Sequence, residues 1–376
     1  MSIVANVGIL AFFKYANFLL RNLGLLVHLW RPTAHMPALD IILPIGLSFH
    51  TFQAMSYTIE VYRGKHPPER DFIVYALYVM FYPQLVAGPI ERPQNVLPQL
   101  HRYQPYDWNQ VKEGLARMLW GFFKKVVIAD RIALAVDYSF SHTATQSSLH
   151  LFVGAVLYSF QIYCDFSGYC DIGIGAARVM GIRLMENFNE PYGAPNLVQF
   201  WSRWHISLSS WFRDYVYIPL GGNRRGEVCR KRNVMVVFLL SGLWHGANWT
   251  FVLWGGLHGV LTAFTPRKLR GGLFVCLNFL LVSLLWVFFR SPGIGTALRY
   301  LEGIFCFRGG SSGWGLNGTE MVVSLCLIAV MLLREHCWKG HLIGSNGKFA
   351  CYVGVMAVVC YFLGVFNENQ FIYFQF

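Results

Sequence analysis

Apolar runs long enough to cross a bilayer recur along this chain almost from its first residue to its last, and that recurrence limits the fold more than any other feature. A spanning helix needs about 20 mostly apolar residues. By that measure the candidates cover 3–30, 39–60, 72–90, 112–140, 150–182, 273–290, 320–334 and 348–366, the first interrupted by Lys14, Asn17 and Arg21. No long polar segment divides these runs into separately folding units, so one membrane domain over 1–376 is expected. The expected class is all-α and polytopic, with roughly 8–11 transmembrane or re-entrant helices.

Composition supports this reading. Charged residues make up 13% and hydrophobic residues 55%, whereas soluble domains carry about a quarter charged residues. A net charge of +12 could point to nucleic acid. The Lys and Arg residues, however, sit in short loops between apolar runs rather than along one amphipathic face, a distribution that sets orientation in a membrane. Nucleic acid is therefore not an expected partner. The nine cysteines include no CxxC pair, and Cys276, Cys326 and Cys360 lie in apolar runs, as small hydrophobes do. No basic region precedes the first run and no small-residue cleavage site follows it, so a signal peptide is not expected.

Two regions fit the spanning template poorly, and polar residues gather in both. In 187–223, Arg203, His205, Arg213 and Asp214 mix with Trp201, Trp204, Trp211, Tyr215 and Tyr217. Such aromatics suit a membrane interface, which predicts an interfacial or partly inserted helix. The second region, 233–264, is flanked by Arg224, Arg225, Arg230, Lys231 and Arg232 before it and by Arg267, Lys268 and Arg270 after it. Both flanks favour the cytoplasm, so the chain should enter and return, with 244–249 (WHGANW) as the bend. Neither arm reaches about 20 residues, which predicts a bend within the membrane's depth or at a locally thinned part of it. Irregular backbone there requires surrounding protein or a polar cavity.

An ionisable residue in such a place is a functional candidate. His245 at the bend can accept a proton from an alcohol; equally, an intramembrane histidine can hydrogen-bond helices together, and position alone leaves both readings open. Asn248 would share a face with His245 if the turn stayed helical. His258 in GGLHG is expected to pack or to serve a minor polar role, and His205 either lines the same chamber or bonds to backbone. Asp165 and Asp171 sit inside an apolar run and need partners, with Arg178, Arg203 and Arg213 as candidates. The chain has no GxSxG, Walker loop, HExxH or Rossmann GxGxxG, which leaves hydrolase, ATPase, zinc protease and dinucleotide readings unsupported.

At WSRWHISLSSWFRDYVYIPLGGNRRG and SGLWHGANWTFVLWGGLHG the sequence strongly resembles the membrane-bound O-acyltransferase family, in its bacterial alginate O-acetylation branch. LPIGLSFHTFQAMSYTIEVYRG, PQLVAGPIERP, QIYCDFSGYCDIGIGAARVMGI and the terminal FIYFQF extend the resemblance over most of the chain. The resemblance implies a many-helix fold around a central tunnel, with His245 serving acyl transfer and His205 as the second important histidine. Trp244 and Asn248 beside His245, and Arg213 and Asp214 after His205, are the expected substrate contacts. It also implies acetyl-CoA as a cytoplasmic donor, with no permanently bound cofactor and no metal. The acceptor would be a surface polysaccharide hydroxyl, reached directly or through an extracytoplasmic partner protein. The implied place is the bacterial cytoplasmic membrane, multi-pass and in contact with lipid. Relatives begin with further hydrophobic segments before the stretch resembling GILAFFKYANFLL, which predicts that N-terminal helices are missing here. The same fold also serves D-alanyl transfer and peptidoglycan O-acylation. A transporter would share the buried polar bend without forming an ester, and an inactive scaffold would keep only partner binding.

Overall fold

The computed structural model describes residues 1–31, 36–85, 88–266, 268–311, 313–337 and 345–366. The terminal FIYFQF and Arg267 lie outside them. Helix α1 spans Ser2–His28, turns apolar residues such as Val4, Leu19 and Leu25 outward, and contains a π-turn at Ala11–Tyr15. Then follow α2 (Leu47–Tyr62), α3 (Phe72–Met80), α4 (Pro93–Leu100) and α5 (Trp108–Phe122), which passes through a second π-turn, Phe123–Ala129, into α6 (Asp130–Ser141). Next come α7 (Ser148–Val179), α8 (Leu197–Trp201), α9 (Ile206–Phe212), α10 (Gly226–His245) and α11 (Trp249–Phe264). The last four are α12 (Gly272–Arg290), α13 (Ile294–Phe305), α14 (Gly318–Cys337) and α15 (Asn346–Leu363).

Among the described residues the only β-type pairing is an isolated bridge between Gln146 and Ser311, and the fold is the all-α, polytopic one expected. Helices α1, α7, α12 and α15 are long and apolar enough to cross a membrane; Phe72–Gln84 and Trp249–Phe264 are shorter apolar helices. Two expected runs are helical over only part of their length. The run 39–60 is helical from Leu47 onward, and 72–90 leaves the α-helix after Met80, where Pro83 lacks the N–H a continuing helix needs.

The 32-residue helix α7 is buried along most of its length and is about 48 Å long at 1.5 Å per residue. Glycines seven residues apart on α5 and α7 meet across this packing. A Cβ on Gly121 would lie 2.5 Å from the Gly168 carbonyl oxygen, and one on Gly114 2.5 Å from that of Gly175. Only hydrogen fits there, so the backbones touch as small-residue helix pairs do.

The two acids of α7 are paired, though not with the arginines expected. Asp165 meets Lys125 at 2.6 Å, and Asp171 meets Lys124 at 2.5 Å and Arg117 at 2.9 Å. The π-turn lets adjacent lysines both reach α7. Arg178 is engaged by Glu113 at 2.9 Å.

Two of the five aromatics expected at an interface lie inside the protein. Trp204 and Trp211 are buried: Trp204 packs 5.1 Å from Trp286, and Trp211 stacks 3.9 Å from Phe52 and donates to Ser56 Oγ at 2.9 Å. The segment is broken into α8, α9 and a π-turn at Arg213–Tyr217 where one interfacial or partly inserted helix was expected.

Polar and basic residues of several connections form a hydrogen-bonded layer. Gln99 Nε2 donates to the Arg183 carbonyl at 3.0 Å, Arg92 pairs with Asp214 at 3.3 Å, and Arg63 reaches the Asp214 carbonyl at 3.4 Å. Asn233 Nδ2 donates to the Gly222 carbonyl at 2.9 Å beside the basic start of α10. From this layer α10 runs 20 residues to His245, about 30 Å along its axis. It is longer than the arm expected because the helix starts seven residues earlier, its first two turns including the basic flank Arg230, Lys231 and Arg232.

Candidate active site

The bend is built by a glycine-lined hairpin. A Cβ on Gly242 would overlap the Phe251 carbonyl, and one on Gly255 the Phe238 carbonyl, so α10 and α11 pack backbone to backbone. Helix α10 ends at His245 because Gly246 is extended, φ −166° and ψ 150°. A Cβ on Gly246 would overlap the Phe251 ring. Asn248 therefore does not continue the helix. It caps α11, its Oδ1 accepting from Thr250 N at 3.2 Å and its Nδ2 donating to the Pro292 carbonyl at 2.9 Å, so the turn engages both ends of its amide.

His245 is 5% exposed. Its ring lies 5.0 Å from that of Trp244, 5.3 Å from Trp254 and 5.4 Å from Phe289, all edge-on. Trp244 thus forms one wall of the histidine's chamber. The Phe49 ring sits 5.3 Å from Trp244 and 6.3 Å from His205, closing the gap between them.

His205 precedes α9 in the left-handed region, φ 45° and ψ 55°, a conformation that costs a non-glycine residue about 1 kcal/mol or more unless its surroundings hold it. Asn187 does so. The Ile206 N–H donates to the Asn187 carbonyl at 2.9 Å, and Ser207 N and Oγ donate to Asn187 Oδ1 at 3.1 and 2.9 Å. These donors identify Oδ1 as an acceptor, so His205 Nδ1, 3.1 Å away, bears the hydrogen in that contact. In the neutral ring Nε2 then carries the lone pair. The rings of His205 and His245 are 6.5 Å apart. With hydrogen bonds of about 2.7–3.2 Å, one substrate group between them can address both.

The other expected residues lie elsewhere. His258 accepts from Trp201 Nε1 at 3.3 Å and packs beside Trp254 at 5.0 Å, in the packing position expected. Arg213 and Asp214 pair with each other at 2.8 Å on the π-turn after α9, where Asp214 also meets Arg92. The structure gathers them into the basic layer and not around the two histidines.

A cavity of about 910 Å³ opens beside His205. Asn187, Ile206 and Cys170 form its inner wall, and Arg117, Lys124, Arg178, Arg183 and Arg334 line it together with Glu113, Asp171, Glu186, Glu190 and Glu335. Arg334 stacks 3.6 Å over the Trp120 ring. Asn187 is shared, since the side chain lining the cavity also holds His205.

Residue patterns marked the two histidines but not the groups that hold them. Lys14 Nζ donates to the Trp244 and His245 carbonyls at 2.7 and 3.2 Å, and Tyr15 Oη donates to the Leu243 carbonyl at 2.7 Å. In the sequence Lys14 reads only as an interruption of the first run.

The structure brings together the two histidines that the resemblance singled out, and comparison with known proteins shows the family. The pattern of the membrane-bound O-acyltransferase family matches residues 14–266. This chain belongs to that family. The family region opens at Lys14 and closes just after α11, so it contains both histidines and the residues that clamp them. A probable alginate O-acetylase of Azotobacter vinelandii is 40% identical over 350 residues, covering 89% of this chain and 68% of the relative. One from Pseudomonas aeruginosa is 41% identical over 348 residues, covering 89% and 65%. A peptidoglycan O-acetyltransferase of Helicobacter pylori is 38% identical over 365 residues, covering 87% and 65%. The chain thus spans about two thirds of the length of these relatives.

Proposed function

We propose that this protein moves an acetyl group from a cytoplasmic thioester, acetyl-CoA, to a hydroxyl of a cell-surface polysaccharide of the alginate type, directly or through a serine of an extracytoplasmic partner protein. The observation that carries the reading is the pair His205 and His245, 6.5 Å apart in an aromatic, buried chamber with the charged cavity on the His205 side. The positive-inside rule supports a cytoplasmic basic layer, in a protein that crosses the bacterial cytoplasmic membrane several times. The cavity then receives the donor from that side. His245, about 30 Å along α10 from the basic layer, meets the acceptor arriving past the Asn248–Pro292 contact.

In the transfer, His245 takes the proton of the attacking hydroxyl as the oxygen–carbon bond forms. The carbon–sulfur bond breaks, and the proton leaves on the thiol of the departing donor, so ester and free thiol are the products. His205 offers only a lone pair at Nε2 while Asn187 holds Nδ1–H, so it positions a hydroxyl or thiol rather than polarising a carbonyl. Buried aromatic walls exclude water, which would otherwise hydrolyse the thioester.

Inside-out membrane vesicles supplied with acetyl-labelled CoA and soluble polysaccharide trapped inside test this reading. Label should enter the trapped polymer as base-labile ester and free CoA should appear outside in equal amount. Release of CoA with labelled acetate and no ester, in vesicles that also contain the extracytoplasmic partner, would contradict it.

A further inference from the structure

We infer that Lys14 is a positioning residue for His245, an ammonium that caps the carbonyl end of α10 and, with Tyr15, holds the bend in its working shape. The inference rests on the transfer reading above for its kinetic consequence only. The last carbonyls of any helix lack intrahelical donors, and the extended Gly246 rules out the left-handed cap that commonly supplies them. Here a distant helix supplies them. Lys14 Nζ donates to the Trp244 carbonyl at 2.7 Å, the His245 carbonyl at 3.2 Å and Ser48 Oγ at 3.4 Å. Three hydrogens meet three neutral oxygens, which satisfies an ammonium. Tyr15 Oη donates to the Leu243 carbonyl at 2.7 Å, so three successive carbonyls are held.

The placement makes physical sense in three respects. A cation at a helix C-terminus meets the negative end of its dipole. An ammonium among spanning helices is costly and persists where it has polar partners and a task. The π-turn Ala11–Tyr15, a feature frequent at functional sites, brings two adjacent side chains to the same neighbour. Helix α1 also grips the other flank of the bend: Asn22 Oδ1 accepts from Trp249 Nε1 at 2.9 Å, and Phe18 packs 5.6 Å from the Trp249 ring. The segment from Leu243 to Trp249 is therefore held at both ends by the first helix.

The test compares Lys14→Met, which keeps length and apolar character, with Lys14→Arg, which keeps charge and donors, in the full chain in detergent. Backbone hydrogen exchange of 243–250 should be at least about tenfold faster in Lys14→Met and close to wild type in Lys14→Arg, as loss of a charge-assisted bond requires. In the transfer assay Lys14→Met should lower kcat by about tenfold or more and change the donor KM by less than about twofold, since orientation and not binding is lost. Tyr15→Phe should shift both readouts in the same direction by less, and it serves if Lys14→Met does not fold. Unchanged exchange at 243–250 in Lys14→Met, or in Tyr15→Phe where that variant stands in, overturns the inference, as does an unchanged kcat. Faster exchange in a protein whose wild type transfers no acetyl would leave the clamp in place and contradict the transfer reading alone.

Discussion

Replacing Asn187 by Leu tests how the second histidine is held. The substitution keeps the branching and heavy-atom count of a buried side chain and removes an oxygen that accepts from His205 Nδ1, Ser207 N and Ser207 Oγ at 3.1, 3.1 and 2.9 Å. The serine hydroxyl can rotate to another acceptor; the imidazole N–H and the backbone N–H cannot. Each buried donor left without a partner costs about 1–3 kcal/mol, so the expected loss of stability is about 2–6 kcal/mol. His205 also loses the side-chain contacts that help keep it at φ 45°, although the Ile206 N–H still meets the residue-187 carbonyl, so its ring should shift from the position facing His245. Ser207→Ala is the control, because it removes one movable hydroxyl and leaves the other two bonds in place, at about 1 kcal/mol or less. Thermal unfolding in detergent followed by size-exclusion fluorescence measures the first quantity, and acetyl transfer well below the midpoint measures the second. Asn187→Leu should unfold at a clearly lower temperature than Ser207→Ala and retain little transfer. If the two variants behaved alike in both assays, the hydrogen-bond reasoning at His205 would be refuted.

Two further outcomes are expected. Gly246→Ala should force its methyl into the Phe251 ring, which packs 4.9 Å from Phe289 and through it on His245, at about 1–3 kcal/mol; adding Phe251→Ala should recover part of the lost transfer, whereas simply additive losses in the double variant would show that the clash is not the cause. Asp171→Asn should lower the thermal midpoint by the equivalent of about 3 kcal/mol or more, because Lys124 and Arg117 lose a buried partner. Glu186→Gln, at an exposed partner of the same Arg117, should cost under about 1 kcal/mol; equal effects would contradict the assignment of Asp171 as the buried partner.

The sequence made the class of fold and the two histidines legible for separate reasons. Apolar runs near 20 residues have few alternatives in a membrane, and α1, α7, α12 and α15 stand close to where those runs lie. His245 was conspicuous because basic residues flank a pair of short arms on both sides. Its support was not legible: Lys14 and Trp244 are 230 residues apart, and a lysine in an apolar run looks the same whether it weakens a span or caps a distant helix. The pairing of Asp165 and Asp171 was anticipated, but its partners depend on a π-turn that places Lys124 and Lys125 together, and apolar periodicity does not register a π-turn. Asn248 misled for a similar reason. A three-residue offset puts it beside His245 only in a continuous helix, and the Phe251 ring against Gly246 goes with an extended residue between them. The tryptophans of 201–211 suited an interface by composition, and the broken α8–α9 segment turned two of them inward.

The measurement that bears most directly on the central claim is the alkali-labile O-acetyl content of surface polysaccharide in a host that lacks its own transferase and supplies the extracytoplasmic partner. Wild type and His245→Ala are compared at equal membrane abundance. Transfer through His245 predicts ester on the polymer with wild type and none above background with the variant. Equal ester with both proteins would contradict it and leave His245 as a residue that only packs the bend.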